Sequence, residues 1–394
     1  MKIFANIIDD KTEEQLRLIE SQEAFKDEKI RIMPDCHSGK GCVIGFTSTL
    51  GDKIIPNIVG VDIGCGVIWS RIPLVDFDLP ELDAFIKKNI PSGMNVREAD
   101  DNVRKYVNKL RCKDKLKNID RICGSIGTLG GGNHFIEVDA DEDGNKYLVV
   151  HTGSRNLGKQ VAEIYQSKAI ENLKIKPHKD FIKNGIEMLK DEGRQKEIEN
   201  FLLYCKDLEF NSNIPNELCY LEGQDMEDYF HDMEMCQVFA GWNRSCIMDK
   251  IFGGFFDEPD FDSFYYESVH NYIDFDDGII RKGAIKADMG RKVIIPLNMR
   301  DGCILGTGKG NFDWNCSAPH GAGRIMSRGE ARRELKLSDF QDAMKGIYTT
   351  TATQGTIDES PMVYKNAKEI IDIVKETVII DKIIKPIYNF KAEE

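Results

Sequence analysis

The chain has 394 residues, 41% of them hydrophobic, and a formal net charge of −13 at pH 7. This size and composition can bury a substantial core, whereas no apolar run approaches the roughly 18 residues of a membrane span. The acidic balance argues against a general nucleic-acid binder, because non-specific affinity comes from cations that neutralise phosphates; a local basic groove stays compatible with it. The N-terminal segment has no secretory signal pattern, and the eleven cysteines include no CxxC pair, which favours free thiols in a reducing compartment. We therefore expect a soluble cytoplasmic protein.

The hydrophobic pattern predicts helices and strands that do not alternate regularly along the chain. In order, residues 12–28 predict a charged amphipathic helix, 31–72 short strands and Gly-rich turns, and 80–118 a lysine-rich helical segment. Segments 122–138 and 146–158 predict two strands that each end at a Gly-rich motif, and 159–207 and 224–250 predict helices. Short strands return after residue 265, and the remainder is predicted to be helical until a last apolar run. We expect a single α+β domain over residues 1–394, with mixed or antiparallel sheets flanked by helices, rather than a doubly wound parallel sheet.

Five of the seven histidines lie in separate short, turn-like motifs. They are His37 in PDCHSGKG, His134 in GGGNHF, His151 in HTGSRNLG, His270 in ESVHN and His320 in SAPHGAGR. Histidines of an ordinary core would not repeatedly fall beside Gly, Asn and Ser, so we expect these five to lie close together. VDIGCGV adds Asp62 and Cys65; alone, this motif is also compatible with a buried cysteine beside a capping aspartate. With neutral imidazoles the two form a ligand set suited to zinc, manganese or iron, which predicts a metalloenzyme.

Two of these motifs also offer groups for an anionic phosphate. In HTGSRNLG, His151 follows the predicted strand YLVV, and Arg155 supplies a guanidinium fork. In SAPHGAGRIMSR, His320 is followed by a Gly-Ala-Gly backbone and two arginines, which suits a nucleophilic histidine that accepts a nucleotidyl group and is also compatible with a further metal ligand. The sequence has no P-loop motif and no clear dinucleotide-binding unit. Basic residues in or near the motifs, which can form a local groove, are Arg155, Lys159, Arg281, Lys282, Lys286, Arg324 and Arg328.

Taken together, the motifs resemble those of the RtcB family of RNA ligases, and the resemblance runs through nearly the whole chain. PDCHSGKG is similar to the family's PDVHxGYG, VDIGCG to FDIxCG, GGGNHFIE to GxGNHFxE, HTGSRNLG to HSGSRGLG and APHGAGRIMSR to HGAGRxxSR. DESPMVYK near residue 360 and Lys391 also resemble family positions. The resemblance implies an RtcB-like fold and a GTP-dependent enzyme that joins an RNA 3'-phosphate or 2',3'-cyclic phosphate end to a 5'-hydroxyl end.

The resemblance also implies a role for each matched residue. The ligands of a centre with two manganese ions are expected to be Asp62, Cys65, His134, His151 and His270, and the nucleophile that accepts GMP is expected to be His320. The GTP-binding residues are expected to be Asn133, Phe135, Glu137, His270, Asn271, Asn298, His320, Gly321, Ala322, Gly323, Tyr364 and Lys391. Arg155 and Arg324 are expected to hold RNA or nucleotide phosphate. An activating, archease-like protein is an implied partner, and a monomer is the expected state.

The sequence departs from the family where its commoner members have PGSMG, because IPLNMRDG stands here with Asn298, Arg300 and Asp301. This change indicates a divergent branch that serves RNA repair or tRNA splicing. Two alternatives stay open. A dinuclear metal-dependent phosphoesterase would use the same ligands without a nucleophilic His320. A non-catalytic RNA-end binding protein is the second alternative, and the intact ligand set counts against it.

Overall fold

Two β-sheets organise the fold in this computed structural model, which describes residues 1–6, 8–206, 208–258 and 265–392. The strands are β1 (Lys2–Ile3), β2 (Arg31–His37), β3 (Ile44–Thr49), β4 (Gly66–Arg71), β5 (Phe135–Ala140), β6 (Lys146–Thr152), β7 (Tyr266–Val269), β8 (Asn271–Asp274), β9 (Ile279–Lys282), β10 (Ala284–Lys286), β11 (Lys292–Asn298), β12 (Gly302–Gly308), β13 (Ser317–Pro319) and β14 (Val378–Lys391). The helices are α1 (Asp10–Glu20), α2 (Pro56–Val59), α3 (Leu79–Asn89), α4 (Asp101–Val107), α5 (Ile119–Cys123), α6 (Arg155–Ile170), α7 (Lys176–Asp191), α8 (Ile198–Cys205), α9 (Gly223–Phe255), α10 (Arg328–Glu334), α11 (Leu337–Ala343) and α12 (Ala367–Val374).

The larger sheet has seven strands in the order β11-β12-β14-β5-β6-β4-β7, and every neighbouring pair in it is antiparallel. The smaller sheet has the order β1-β2-β3-β9-β8 and is antiparallel except for the β1–β2 pair. Strands β10 and β13 form a separate two-stranded sheet. The predicted α+β class is therefore confirmed and a doubly wound parallel sheet is excluded, while the single domain over residues 1–394 stays a prediction.

Antiparallel pairing brings the ends of four strands to one edge of the larger sheet. Phe135, the first residue of β5, pairs with His151 near the end of β6, and His151 also pairs with Val67 near the start of β4. Gly66 at the start of β4 pairs with Val269 at the end of β7. The motifs that precede β4 and β5 and those that end β6 and β7 must therefore meet at this edge.

A break at His270 divides the predicted run YYESVHNYIDF between the two sheets. Strand β7 ends before His270 in the larger sheet, and β8 begins after it in the smaller one. The His270 backbone amide donates to the Cys65 carbonyl at 2.9 Å, and the Gly283 amide donates to the His270 carbonyl at 2.6 Å. Backbone bonds to both sides thus hold this histidine where the sheets diverge.

Most predicted helices are confirmed, but the strand predicted over residues 122–138 is wrong. Residues 119–123 form α5, a loop follows, and strand β5 begins only at Phe135, after the Gly-rich motif. Gly127, Gly130 and Gly132 have positive φ, a conformation that an extended strand does not contain. The motif therefore starts a strand instead of ending one, and this places His134 beside the end of β6.

Helix α9 packs on β4 and β6, and two of its buried polar residues hold the loops at the edge. Asn243 accepts from the Thr128 amide at 3.0 Å and donates to the Thr128 carbonyl at 3.1 Å and the Gly153 carbonyl at 3.1 Å. Arg244 donates through Nη1 to the carbonyls of Gly64 at 2.7 Å and Thr152 at 2.8 Å. The helix therefore satisfies backbone groups that these loops would otherwise bury without partners.

The described part of the chain contains no helix that is both long and apolar enough to cross a membrane. All eleven cysteines are free thiols, as predicted from the absence of a CxxC pair.

We predict that Asn243→Ala lowers the free energy of unfolding by roughly 2 kcal/mol or more, because it leaves buried backbone groups of two loops without partners. Urea denaturation followed by circular dichroism measures the change. Val238→Ala on the same helix is the control, since Val238 is 60% exposed and should change the free energy of unfolding by less than about 0.5 kcal/mol. Equal stabilities of the two variants would contradict the assigned role of Asn243.

Candidate metal and nucleotide site

A cavity of about 290 Å³ lies where the strand ends meet, and most of the predicted site residues line it. The predicted residues in its wall are Asp62, Cys65, Asn133, Phe135, Glu137, His151, His270, Asn271, Asn298, His320, Gly321, Ala322, Gly323, Arg324, Tyr364 and Lys391, together with His37. His134 contacts Asp62 and Cys65 outside this lining. The expectation that the five motif histidines lie close together is therefore met.

Three side chains near the end of β6 form a first group of candidate metal ligands. The Cys65 Sγ and His151 Nε2 atoms are 3.3 Å apart, and the His151 Nε2 and His270 Nε2 atoms are 3.4 Å apart. One ligand atom from each of the three residues lies within 4.8 Å of the others. A thiol and two imidazoles at this spacing suit a divalent transition metal.

A second group of candidate ligands adjoins the first and shares Cys65 with it. His134 Nε2 lies 3.0 Å from Asp62 Oδ2 and 3.6 Å from Cys65 Sγ. The ligand atoms of these three residues also lie within 4.8 Å of one another. Cys65 belongs to both groups, and their thiol, imidazole and carboxylate donors would suit divalent transition-metal ions.

Hydrogen bonds and burial prepare the histidines as ligands. His134 Nδ1 donates to the Leu129 carbonyl at 2.9 Å and His151 Nδ1 to the Asn133 carbonyl at 3.2 Å, which leaves Nε2 of each ring available for an ion. Burial, followed by the charge of neighbouring histidines, holds the pKa values of His151 and His270 well below the ordinary value. These rings are therefore neutral at pH 7, the form that binds a metal.

His320 is oriented by an aspartate that the motif search did not single out. Its Nδ1 donates to Asp35 Oδ2 at 2.7 Å, and Asp35 is 0% exposed on β2 of the smaller sheet. The His320 ring lies 4.8 Å from the His270 ring, measured between centroids. Nε2 is thus the His320 nitrogen that this hydrogen bond leaves available, and the ring lies directly beside the candidate metal ligands. Asp35 stands two residues before His37 in PDCHSGKG, but nothing in that motif indicates its pairing with His320.

His37 lies beside the His320–Asp35 pair, and its ring is neutral. Its Nδ1 donates to the Asp35 carbonyl at 3.1 Å. Burial lowers the pKa of His37 to about 4, against a smaller raising contribution from that hydrogen bond. His37 therefore lines the cavity without adding charge to it at pH 7.

Glu359, which the motifs did not indicate as a site residue, is the shared acceptor for the basic side chains on one side of the cavity. It accepts from Arg324 Nη1 at 3.1 Å, Arg328 Nη2 at 3.0 Å, Tyr364 Oη at 2.6 Å and Lys391 Nζ at 3.3 Å. Burial opposes its ionisation, but the charges of Lys391, Arg328 and Arg324 hold the pKa of Glu359 below its ordinary value. Arg324, predicted to hold phosphate, is thus anchored by a carboxylate at the cavity wall.

Glu137 lines the same cavity in an environment that favours its neutral form. Asn389 Nδ2 donates to Glu137 Oε1 at 2.9 Å. Burial raises the pKa of Glu137 to about 7, while the Asn389 hydrogen bond and the charge of Lys391 oppose this shift. Glu137 therefore changes its protonation state near neutral pH.

Two of the three predicted asparagines, Asn271 and Asn298, form hydrogen bonds within the protein. Asn271 Nδ2 donates to the Asp62 carbonyl at 3.1 Å, and its Oδ1 accepts from the Gly283 amide at 3.0 Å. Asn298 Oδ1 accepts from the Asp301 amide at 2.9 Å, and its Nδ2 donates to Asp301 Oδ2 at 2.8 Å. Within IPLNMRDG, the Asn298 side chain thus closes a turn by its hydrogen bonds to Asp301, and this turn lies in the cavity wall.

Several predicted basic residues lie elsewhere. Arg155 is absent from the cavity lining, and its Nη1 lies 3.2 Å from His134 Nδ1. Arg281 is fully buried and donates to Asp277 at 2.7 Å, and the buried Lys282 donates to the carbonyls of Lys40 and Asn57, both at 2.9 Å. Arg281 and Lys282 therefore stabilise the fold and form no basic groove, and the phosphate-binding role of Arg155 stays a prediction.

The paired ligand groups, the oriented histidine and the cationic wall define a metal-dependent site for phosphate chemistry. A family model described as tRNA-splicing ligase RtcB matches residues 20–122 and 104–392, so the chain belongs to the RtcB family, as its motifs predict. An RNA-splicing ligase RtcB of Escherichia coli K12 is 28% identical over 382 residues, 87% of this chain and 85% of the relative. A tRNA-splicing ligase RtcB of Methanococcus maripaludis is 28% identical over 441 residues, 90% and 85% respectively, and one of Aeropyrum pernix is 26% identical over 431 residues, 87% and 83%.

We predict that Cys65→Ala loses most of the bound manganese, because both ligand groups contain this sulfur. Elemental analysis after manganese loading and gel filtration measures the metal content. Cys246→Ala is the matched control, since Cys246 lies on α9 outside both ligand groups and should leave the metal content unchanged. Unchanged metal in Cys65→Ala would refute the assigned centre.

Proposed function

We propose that the chain joins an RNA 3'-phosphate or 2',3'-cyclic phosphate end to a 5'-hydroxyl end, using GTP and a guanylated His320. Membership of the family makes the chain an RNA ligase of RNA repair or tRNA splicing. The observation that carries the proposed mechanism is the His320–Asp35 hydrogen bond directly beside the two ligand groups. It combines an oriented nucleophile with a place for the ions that phosphate transfer needs.

The ligand groups support two divalent manganese ions, with Cys65 shared between them and imidazole and carboxylate donors completing the set. When bound, the ions supply Lewis-acid polarisation of phosphate oxygens. Protein residues provide the nucleophile, its orientation and the contacts to the nucleotide.

In the first step, His320 Nε2 attacks the α-phosphorus of GTP. A P–N bond forms as the bond from that phosphorus to the β-phosphate oxygen breaks, and pyrophosphate leaves with the electron pair. Asp35 holds the Nδ1 proton in place, so the correct nitrogen carries the lone pair, and its charge stabilises the positive ring that forms.

In the next steps, a 3'-phosphate oxygen of RNA attacks the same phosphorus and His320 leaves with its electron pair. The 5'-hydroxyl oxygen then attacks the activated RNA phosphorus, GMP departs, and the hydroxyl proton is released. A cyclic phosphate must first be opened by water, which yields the 3'-phosphate.

The cavity wall supports a specific arrangement of the nucleotide. Glu137 is the acceptor for the guanine N–H groups, and Phe135, Tyr364 and Lys391 enclose the base and ribose. The remaining predicted contacts to GTP come from Asn133, His270, Asn271, Asn298, Gly321, Ala322 and Gly323. Arg324 and Arg155 are the proposed phosphate contacts.

We predict that His320→Ala abolishes the guanylate adduct while it keeps the bound metal, because only the attacking nitrogen is lost. The assay incubates metal-loaded protein with manganese and GTP labelled at the α-phosphate, followed by denaturing electrophoresis. An acid-labile, alkali-stable band identifies a phosphorus–nitrogen bond. His231→Ala is the control, since His231 lies on α9 outside the cavity. A pure, metal-loaded wild-type protein that forms no adduct would contradict the proposal and favour the dinuclear phosphoesterase.

We predict that Asp35→Asn slows adduct formation by at least roughly tenfold without loss of metal, because a neutral amide accepts the Nδ1 proton more weakly than a carboxylate and does not stabilise the cationic ring. The rate of label incorporation under single-turnover conditions measures this effect. A rate equal to that of the wild type would show that Asp35 has no positioning role.

We predict that GMP binding weakens as the pH falls through about 7, because protonation of Glu137 removes a carboxylate acceptor for guanine. Binding is measured by calorimetry with a chelator present, so that titrating metal ligands do not contribute. Glu137→Gln should bind weakly and lose this pH dependence. An equal pH dependence in both proteins would assign the titration to another group.

An activating archease-like protein, a monomeric state and a cytoplasmic location are also part of the proposal. They follow from the resemblance and the composition of the sequence. Size-exclusion chromatography with light scattering tests the monomer directly.

A further inference from the structure

A second, open groove of about 460 Å³ lies between one face of α6 and the segment that precedes α5. One wall contains Lys159, Glu163 and Ser167 of α6, which are spaced four apart and share one face of the helix, and Glu171, which directly follows α6. Its opposite wall contains Lys115 and Lys117. The groove lies outside the candidate metal and nucleotide site.

Reciprocal hydrogen bonds hold the two walls together. The Lys117 amide donates to Gln160 Oε1 at 2.7 Å, and Gln160 Nε2 donates to the Lys117 carbonyl at 3.0 Å. The Gln160 side chain therefore sets the distance between the walls through two hydrogen bonds to the Lys117 backbone.

The groove has more basic than acidic side chains, since four lysines line it beside the two glutamates Glu163 and Glu171. Lys115, Lys117 and Lys159 are exposed, and among the described residues no carboxylate lies within ion-pair distance of them. Lys168 differs, because its Nζ lies 3.8 Å from Asp225. In a chain with a net charge of −13, this local excess of ammonium groups favours an anionic ligand.

The groove begins close to the metal ligands. Helix α6 starts just after Ser154, whose backbone amide and Oγ donate to Asp62 Oδ1 at 3.1 and 3.4 Å. With a rise of 1.5 Å per residue, Lys159 lies about 7 Å along the helix from Ser154. The groove therefore leads away from the centre at which a phosphate end would react.

We propose that this groove binds the phosphodiester backbone of the RNA strand whose 3'-phosphate end reacts at His320; the inference rests on the proposed ligase function. Ammonium groups attract backbone phosphates without reading bases, so the strand is held by charge and not by sequence. The groove thus aligns the strand behind its reacting end.

The test compares two variants of equal net charge. One carries Lys115→Gln, Lys117→Gln and Lys159→Gln in the groove. The other carries Lys179→Gln, Lys183→Gln and Lys190→Gln on α7, which is also exposed but remote from α6's groove face. RNA strands that end in a 3'-phosphate are titrated by fluorescence anisotropy at several salt concentrations. A dinucleotide serves as the short probe, because it has a single phosphodiester behind the reacting end and therefore few phosphates for the groove to bind.

The groove variant should bind the long strand roughly 10- to 100-fold more weakly, with a salt dependence reduced by about two counterions. The α7 variant should bind the long strand as tightly as the wild type does. The groove variant should bind the dinucleotide as tightly as the wild type does. An equal loss of RNA affinity in both variants would overturn the proposal, because the overall charge of the protein would then explain the binding. Unchanged RNA affinity in the groove variant would also overturn it and would favour an acidic protein as the ligand of the groove. Formation of the guanylate adduct by the wild type needs no RNA. Failure to form the adduct would therefore contradict the proposed function independently of the result for the groove.

Discussion

The structure depends on gathering buried polar ligands from distant segments at one edge of an antiparallel sheet. A thiol, three imidazoles and a carboxylate within hydrogen-bond distance are costly to bury unless each group has a partner. Pairing of β5 with β6 and of β6 with β4 brings His134, His151 and Cys65 together. Helix α9 then satisfies the loop backbone through Asn243 and Arg244. The chemistry of the site is thus built on the hydrogen bonding of the fold.

The smaller sheet orients two of the histidines at the site. Its strand β2 carries Asp35, which orients the His320 ring, and its strand β8 begins directly after His270. The candidate ligand His270 and the proposed nucleophile His320 are therefore positioned where two sheets meet, and a shift between the sheets would misalign them. This explains why these histidines lie within strands or directly beside strand ends and not on helix faces.

The local arrangement of charged side chains differs from what the overall composition suggests. Inside the cavity, the single carboxylate of Glu359 accepts from two arginines, a lysine and a tyrosine, so these donors are held in place before any nucleotide binds. Arg281, in contrast, is neutralised by Asp277 and stabilises the smaller sheet. A net charge of −13 therefore coexists with local sites that attract phosphate.

The motifs alone determined the family, the irregular order of helical and strand patterns determined the α+β class, and most of the site residues predicted from the motifs line the cavity. Contacts across the chain were decided only by the tertiary structure. Asp35 and His320 are 285 residues apart, and no local pattern indicates that they pair. The division of the YYESVHNYIDF run at His270 and the loop before Phe135 likewise depend on which strands pair, and periodicity reports only how a segment alternates. Sequence thus specified the reactive groups, whereas long-range hydrogen bonding decided their orientation.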